Sequence, residues 1–556
     1  VTATPDVSFP TPAPRSRALW PVLAVIVAVA LAARILPQPR TVDDAFITFR
    51  YSRNIVEGHG FVYNPGSRTL GTTTPLYTLL MAGIAGTTGA EDYPWFALIT
   101  NALADAATAA LLALLVYRLT RHILPAAVSG AVWAIAPMSV TFAVGGMETS
   151  VAILWMVAAT VAYTSGHHRR TGLFAALGIL TRIDSLIWVG PLLAHQLVTR
   201  WRERRAPGEG QPAAPWIARL PWGSWLWFGA ILLPWYGFSW AYFGTLLSRS
   251  LSAKQVAYIV EDWSALTRLL QHIATPFLEQ EAFGTPGIVV GIVLYPALAI
   301  MGTVYALRRQ PRLLPFLAFP WLYVAVFSAM NPLIFRWYLA PPLPAYLVAI
   351  ILGLWGVAES LAAALKRPNV AQGAMAAAGL AWIAISLNAW TLHPDHGPAR
   401  PTPDMAWHEI EIYYREMAGT LRENFGVDED TLVAAGDIGA IGYYSRARIL
   451  DTVGLVTPEV SNYYPLDRDL VIEGSNYAVP PAIVFDYLPS YIVFMEMFVR
   501  NGLAQNPRFE ELYDAVRVIP TDFYGTGMIL YQRRDLYEGA MLASPDSRSP
   551  KSGQTS

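Results

Sequence analysis

The sequence predicts a mainly α-helical, polytopic membrane bundle followed by a small α/β domain on the outer side of the membrane. Three observations carry that expectation. Of 556 residues, 54% are hydrophobic and 14% charged, against about 25% charged in an ordinary soluble domain. Apolar runs long enough to cross ~30 Å of hydrocarbon at 1.5 Å per residue recur as far as about residue 391. The charge is also split: 16 acids and 26 bases precede Asp395, whereas 24 acids and 13 bases follow from there, so two physical environments are implied.

The apolar segments fall at about 18–36, 95–117, 123–143, 147–164, 222–243, 286–307, 313–330, 338–358 and 371–391. Shorter ones at 75–90 and 172–198 bring the expected total to eleven or twelve membrane segments of a helical bundle. The first run follows Arg15 and Arg17 and precedes no small-residue cleavage site, so it is expected to be a retained span and not a signal peptide. The 172–198 run is interrupted by Thr181-Arg-Ile-Asp184, which predicts two half-length helices meeting at a polar point.

Orientation follows from short loops rich in Lys and Arg, which stay in the cytoplasm. Arg169/Arg170, the five arginines from Arg200 to Arg219, Arg308/Arg309/Arg312 and Lys366/Arg367 place residues 36–74, 244–285, 331–337 and everything after about 393 outside. Arg118 and Arg121 also belong in the cytoplasm by this rule. Both fit only if segment 75–90 fails to cross, so it is expected to be short or re-entrant. The domain boundaries read as a disordered cytoplasmic tail at 1–17, a membrane domain at 18–393 with its first outer loop at 36–74, an extracytoplasmic α/β domain at 394–540, and a disordered tail at 541–556.

In the outer domain a helix is expected over about 404–425, with Asp404 as candidate N-cap, and strands at Thr431–Ala435, Tyr491–Met495 and Met528–Tyr531. Gly436-Asp-Ile-Gly-Ala-Ile-Gly442 has the wrong spacing for a dinucleotide fingerprint and reads as a tight strand-to-helix turn. Tyr443, Tyr444, Tyr463 and Tyr464 are either core or a surface for a glycan. With no cysteine, disulfides and thiolate metal sites are excluded.

Few residues can carry chemistry. Asp43 and Asp44 open the first outer loop at the membrane interface, where carboxylates are costly unless solvated or paired. They either cap the helix that follows, which is expected to lie in the interface plane, or serve catalysis and binding. Arg182 and Asp184 interrupt an apolar segment and form either a structural pair or part of a site. Glu148, in Gly145-Gly-Met-Glu148, either caps a helix or binds hydroxyls. Arg336, beside Trp337 and Tyr338, suits both an interfacial anchor and an anion ligand. Lys254, the one lysine of the 244–285 loop, either reaches a phosphate or, the reading preferred, is a solvated surface charge, and Gly58, Gly60 and Gly66 read as turn glycines.

The stretches DDAFITFRYSRN, EGHGFVYNPG and GTTTPLY between Asp43 and Tyr77 resemble the first outer loop of the GT-C superfamily of polyprenyl-phosphate-sugar-dependent glycosyltransferases. Gly145-Gly-Met-Glu-Thr149, Leu180-Thr-Arg-Ile-Asp184, Arg336-Trp-Tyr-Leu-Ala-Pro341 and Ala435-Gly-Asp-Ile-Gly-Ala-Ile-Gly-Tyr443 extend the resemblance. The chain looks most like the group containing the mycobacterial terminal arabinofuranosyltransferase, and more remotely like protein mannosyltransferases and the lipid A aminoarabinose transferase. The resemblance implies a bacterial plasma-membrane enzyme that moves a sugar from a polyprenyl phosphate to a glycan, glycolipid or protein acceptor on the outer face. Nucleic acid is not an expected partner.

Such a reaction needs a general base for the attacking hydroxyl and cations for the departing phosphate. The resemblance places the base at Asp44 or Asp43, with Asp44 preferred. It offers Arg336 first, then Arg182 and Arg50, for the phosphate, and Glu148, Asp184 and Tyr338 for substrate hydroxyls. No metal cofactor is expected, since no cluster of His, Asp and Glu has ligand spacing; a weakly held divalent ion on the Asp pair is the one alternative. A flippase for the same lipid and a non-catalytic assembly scaffold are the competing functions. A flippase would place polar residues near the membrane midplane, whereas here they gather at outer loops.

Overall fold

The computed structural model describes residues 17–205, 215–406 and 409–536. Apart from Arg17, both expected tails lie outside them. Helices dominate as far as Asn388. Five of them, Tyr93–Thr120, Thr285–Arg309, Pro311–Met330, Leu343–Ala364 and Asn369–Asn388, are each long and apolar enough to cross a bilayer. A sixth candidate is Ile123–Ile135 with Pro137–Val144, bent by 43° at the break, where Pro137 cannot donate to the helical ladder. The other expected segments also form helices, among them the shorter apolar Leu19–Ile35 and Thr149–Thr164 and the 22-residue Trp222–Phe243. Fewer than eleven therefore qualify on length and composition alone.

Close packing of the bundle depends on small residues. Thr285–Arg309 and Leu343–Ala364 cross at Gly302 and Gly353, where a Cβ would fall 1.8 Å from the Ala349 carbonyl and 2.0 Å from that of Leu298. Contacts of this kind replace the hydrophobic driving force that lipid cannot supply. The 172–198 run does break where its polar residues stand. His168–Thr181 ends at Arg182, which is extended (φ −151°, ψ 127°), and a short 3-10 turn at Ile183–Ser185 leads into Leu186–Arg205.

Segment 75–90 forms one helix, Pro75–Thr88, of 14 residues, about 21 Å long. Both its flanks lie by the outer domain. Thr74 belongs to the cavity described below, while the Glu91 carbonyl accepts from Tyr443 Oη at 3.2 Å and the Glu91 carboxylate reaches Arg446 at 3.4 Å. Both ends of the segment thus lie on the side of the C-terminal sheet. At the other end of Tyr93–Thr120, Arg118 donates to Ser165 at 2.9 Å, which puts it on the same face as Arg169 and Arg170.

The C-terminal domain, expected on the outer side, is a five-stranded sheet in the order Arg448–Asp451, Leu432–Ala435, Tyr491–Met495, Gly527–Arg533, Tyr513–Pro520. The first three strands are parallel and the last two antiparallel additions. The three expected strands are present. The expected 404–425 helix is instead a 3-10 turn at Asp404–Ala406 and a helix at Ile410–Glu423. Asp404 does not cap that helix, because its carboxylate is engaged by Thr391 and His393 of a small ribbon, Trp390–His393 paired with Arg400–Pro403.

The helix after the Asp pair, Asp43–Val56, is not spread on the membrane surface. Every residue from Ala45 to Asn54 is buried. Phe46 packs on Tyr443 and Tyr444, and Phe49 stacks on Tyr93. Its arginines, which would have faced headgroups, donate to protein carbonyls instead, as described next.

Candidate active site

The Asp43–Val56 helix starts where residues 40–42 run along the Gly145 turn, with Arg40 N–H donating to Val144 O at 2.9 Å and Val42 N–H to Gly145 O at 3.0 Å. Consecutive helical residues project about 100° apart, so the two adjacent aspartates cannot face the same way. Asp43 accepts from the Gly439 and Ala440 N–H groups at 2.9 and 2.7 Å, and its own N–H donates to Glu411 Oε1 at 2.9 Å. Burial, and then the nearby Asp437 carboxylate, push its pKa well up despite those two donors. Asp437 is likewise raised, to about 6, by burial first, although Tyr414 Oη donates to it at 2.9 Å.

The junction between loop and outer domain is built for close approach. A Cβ on Gly439 would fall 1.8 Å from the Asp43 carbonyl, and one on Gly442 2.0 Å from Tyr63 Oη, which is the physical reason for glycine at both places in the 436–442 stretch. Arg50 donates to the carbonyls of Tyr63, Gly442 and Ala447 at 2.8, 2.6 and 2.7 Å and to Asn64 Oδ1 at 3.1 Å. Arg53 reaches Tyr443 O at 2.8 Å.

Asp44 turns the other way, into a cavity of about 840 Å³. Its Oδ2 lies 3.1 Å from Lys254 Nζ, in the short loop helix Ser250–Ala257. Burial draws the Lys254 pKa down, but Asp44 and Tyr338 outweigh it and hold the ammonium above its ordinary value. Lys254 also sits 4.7 Å from the centroid of Phe335, which stacks on Trp337. On a neighbouring wall Arg182 bridges Glu148 at 2.8 Å and Asp184 at 2.7 Å, with the Tyr338 ring 5.4 Å from its guanidinium. Glu148 makes no cap bond to its helix. Apolar side chains complete the lining, among them Leu186, Val326 and Met330, all three of which are exposed.

The fold thus gathers Asp44, Glu148, Arg182, Asp184 and Tyr338 around one cavity and leaves three other expected residues out of it. Asp43 and Arg50 belong to the domain junction. Arg336 is exposed, donates to Met405 O at 3.3 Å, and lines a separate cavity of about 620 Å³ with Arg268 and His272. The reason is the 3-10 turn Arg336–Tyr338, which sends Trp337 and Tyr338 to one side and Arg336 to the other. Lys254 is the residue that sequence reasoning passed over. No group of three His, Cys, Asp or Glu suited to a metal occurs among the described residues.

Crystal structures of ArnT from Cupriavidus metallidurans are similar to this chain in fold along nearly its whole length. The complex with undecaprenyl phosphate gives a TM-score of 0.54 at 14% identity, covering 93% of this chain and 98% of that one. The apo form gives 0.55 at 14% identity, covering 92% and 98%. The chain has the GT-C fold. Within it, residues 404–538 match a domain of unknown function (DUF8728), a range that takes in the five-stranded sheet. Among curated proteins nothing matches the chain.

Proposed function

We propose that this chain is a membrane glycosyltransferase that takes a sugar from a polyprenyl phosphate and delivers it to a cell-envelope glycan, glycolipid or protein acceptor. The observation that carries the reading is one cavity with two kinds of lining. Three carboxylates and two cations, Asp44, Glu148, Asp184, Lys254 and Arg182, share it with aliphatic side chains such as Leu186, Val326 and Met330. A substrate with a charged head and a long hydrocarbon tail fits such a space, because burying charge is costly without partners while burying methylenes is favourable. The likeness to a fold seen with undecaprenyl phosphate supports the same reading.

In this reading Asp44 takes the proton from the acceptor hydroxyl as its oxygen attacks the anomeric carbon. The bond from that carbon to the phosphate oxygen breaks, and the polyprenyl phosphate leaves with the bonding pair. Lys254 supports Asp44 before the donor arrives and lies close enough to turn to the phosphate once it does. Arg182, already held by two carboxylates, offers a fixed cationic edge, and Glu148, Asp184 and Tyr338 present acceptors and a ring to sugar hydroxyls. Lys254 and Arg182 are the side chains of the cavity that can make charge-assisted contacts to the departing phosphate. Asp44 is favoured over Asp43 because both Asp43 oxygens are engaged by backbone N–H groups.

Incubating the purified protein with a panel of polyprenyl-phosphate sugars tests the reading, with mass spectrometry following release or transfer of sugar. Turnover of at least one donor is expected. Binding without turnover across the panel would favour a carrier, and neither binding nor turnover would favour a scaffold.

A further inference from the structure

A second cavity lies at the far end of the bundle, and nothing in the proposed reaction uses it. Glu148 and Arg182, 2.8 Å apart, mark the outer ends of Thr149–Thr164 and His168–Thr181. The link between these helices therefore lies about 24 Å away, at 1.5 Å per residue. There, a space of about 480 Å³ is lined by Gly166, His167, His168, Arg169, Arg170, Arg200, Pro221 and Gly223. Three arginines and two histidines line it, and among the described residues that do so there is no carboxylate. The nearby Glu203 carboxylate is taken by Arg312 at 2.5 Å.

The cavity is shaped by three elements: the start of His168–Thr181, the end of Leu186–Arg205 and the start of Trp222–Phe243. Gly172 lets the first and third touch, since a Cβ there would fall 2.0 Å from Ser224 O. Gly223 receives the stem of Arg169, with Cγ 3.2 Å from where a Cβ would stand. Beside it Trp216 and Trp222 are 62% and 45% exposed, as aromatic side chains are at headgroup depth. A cationic recess at that depth, between membrane helices, matches the chemistry of lipid phosphate.

From this we infer that the recess binds the phosphate of an anionic lipid headgroup in the leaflet opposite the outer domain. The inference does not depend on the reaction proposed above. The test uses the full chain in detergent, with phosphatidylglycerol, phosphatidylcholine or inorganic phosphate added, and reads retained lipid by native mass spectrometry and stabilisation by thermal melting. Phosphatidylglycerol should be retained over phosphatidylcholine, and Arg169→Gln with Arg170→Gln should weaken that retention about thirty-fold, from about fivefold per basic residue near a headgroup. Arg308→Gln with Arg367→Gln, which removes two arginines of other loops expected on this face, should leave it unchanged. Equal retention of both lipids, or equal losses in the two double variants, would overturn the site. Stabilisation by inorganic phosphate that matches phosphatidylglycerol and vanishes in the Arg169/Arg170 variant would overturn the lipid assignment in favour of a soluble phosphate.

Discussion

Replacing Asp44 and Asp43 separately by Asn should produce opposite defects. In Asp44→Asn the amide cannot take a proton, so a general-base role predicts a loss of about 10²-fold or more in turnover. The stability cost should be small: the Asp44–Lys254 pair has side chains 27% and 22% exposed, and partly exposed pairs are worth about 1 kcal/mol at most. In Asp43→Asn only one carbonyl-type oxygen remains for the two N–H groups of Gly439 and Ala440. Leaving one buried donor unmet costs about 1–3 kcal/mol, paid at the domain junction, while the cavity keeps its carboxylate. Transfer rates by mass spectrometry, alongside donor affinity and thermal melting, separate the two. A stable, near-inactive Asp43→Asn beside a near-normal Asp44→Asn would refute the division of labour, and near-normal turnover in both would remove the pair from the mechanism.

Lys254→Ala should weaken donor binding roughly ten-fold or more, the scale of one charge-assisted contact, with little change in melting; unchanged donor affinity would release Lys254 from the phosphate role. Gly439→Ala should destabilise the outer domain by several kcal/mol at the upper range of overpacking, because its Cβ would fall 1.8 Å from a backbone carbonyl, and wild-type melting would contradict the contact. Burial raises Asp437 above the unfolded value of 3.8, to about 6. The folded junction therefore holds a proton there that the unfolded chain has lost, and stability should fall as pH rises from about 4 through 6. Asp437→Asn should flatten that slope in melting curves, and an unchanged slope would exclude Asp437 as its source. A reporter active only in the cytoplasm, fused after Ser556, should be silent, and activity would reverse the orientation.

Much of the architecture was legible because membranes impose length. The apolar runs mark helices, and the polar interruption at Arg182 marks a break, since an ionisable residue there must find partners. What escaped depended on distance along the chain. The strand Arg448–Asp451 is four residues long and opens with Arg, and Tyr513–Pro520 is an edge strand with much of one face exposed, so neither shows a clean alternation. The Asp pair stood out as a cost at an interface, but which member faces the cavity is fixed by Gly439 and Ala440, nearly 400 positions away. Lys254 looks solvated in its own loop; only folding brings it to a carboxylate 210 positions earlier. Arg336 was legible as an interfacial arginine, yet a single 3-10 turn decided which of two cavities it serves.

The contact of Asp43 and Arg50 with Gly439, Gly442 and Ala447 also bears on how such proteins are recombined. Because the first loop supplies buried charges to the outer sheet, and the sheet returns its backbone to the loop, neither piece is a portable module. A chimera that exchanges residues 404–538 alone would leave Arg50, Asn64 and Asp43 facing a foreign surface, whereas one that carries residues 36–74 along with them keeps the partners of these three. The natural unit of exchange is therefore discontinuous, two segments separated by most of the bundle, and it takes the residue beside Asp44 with it.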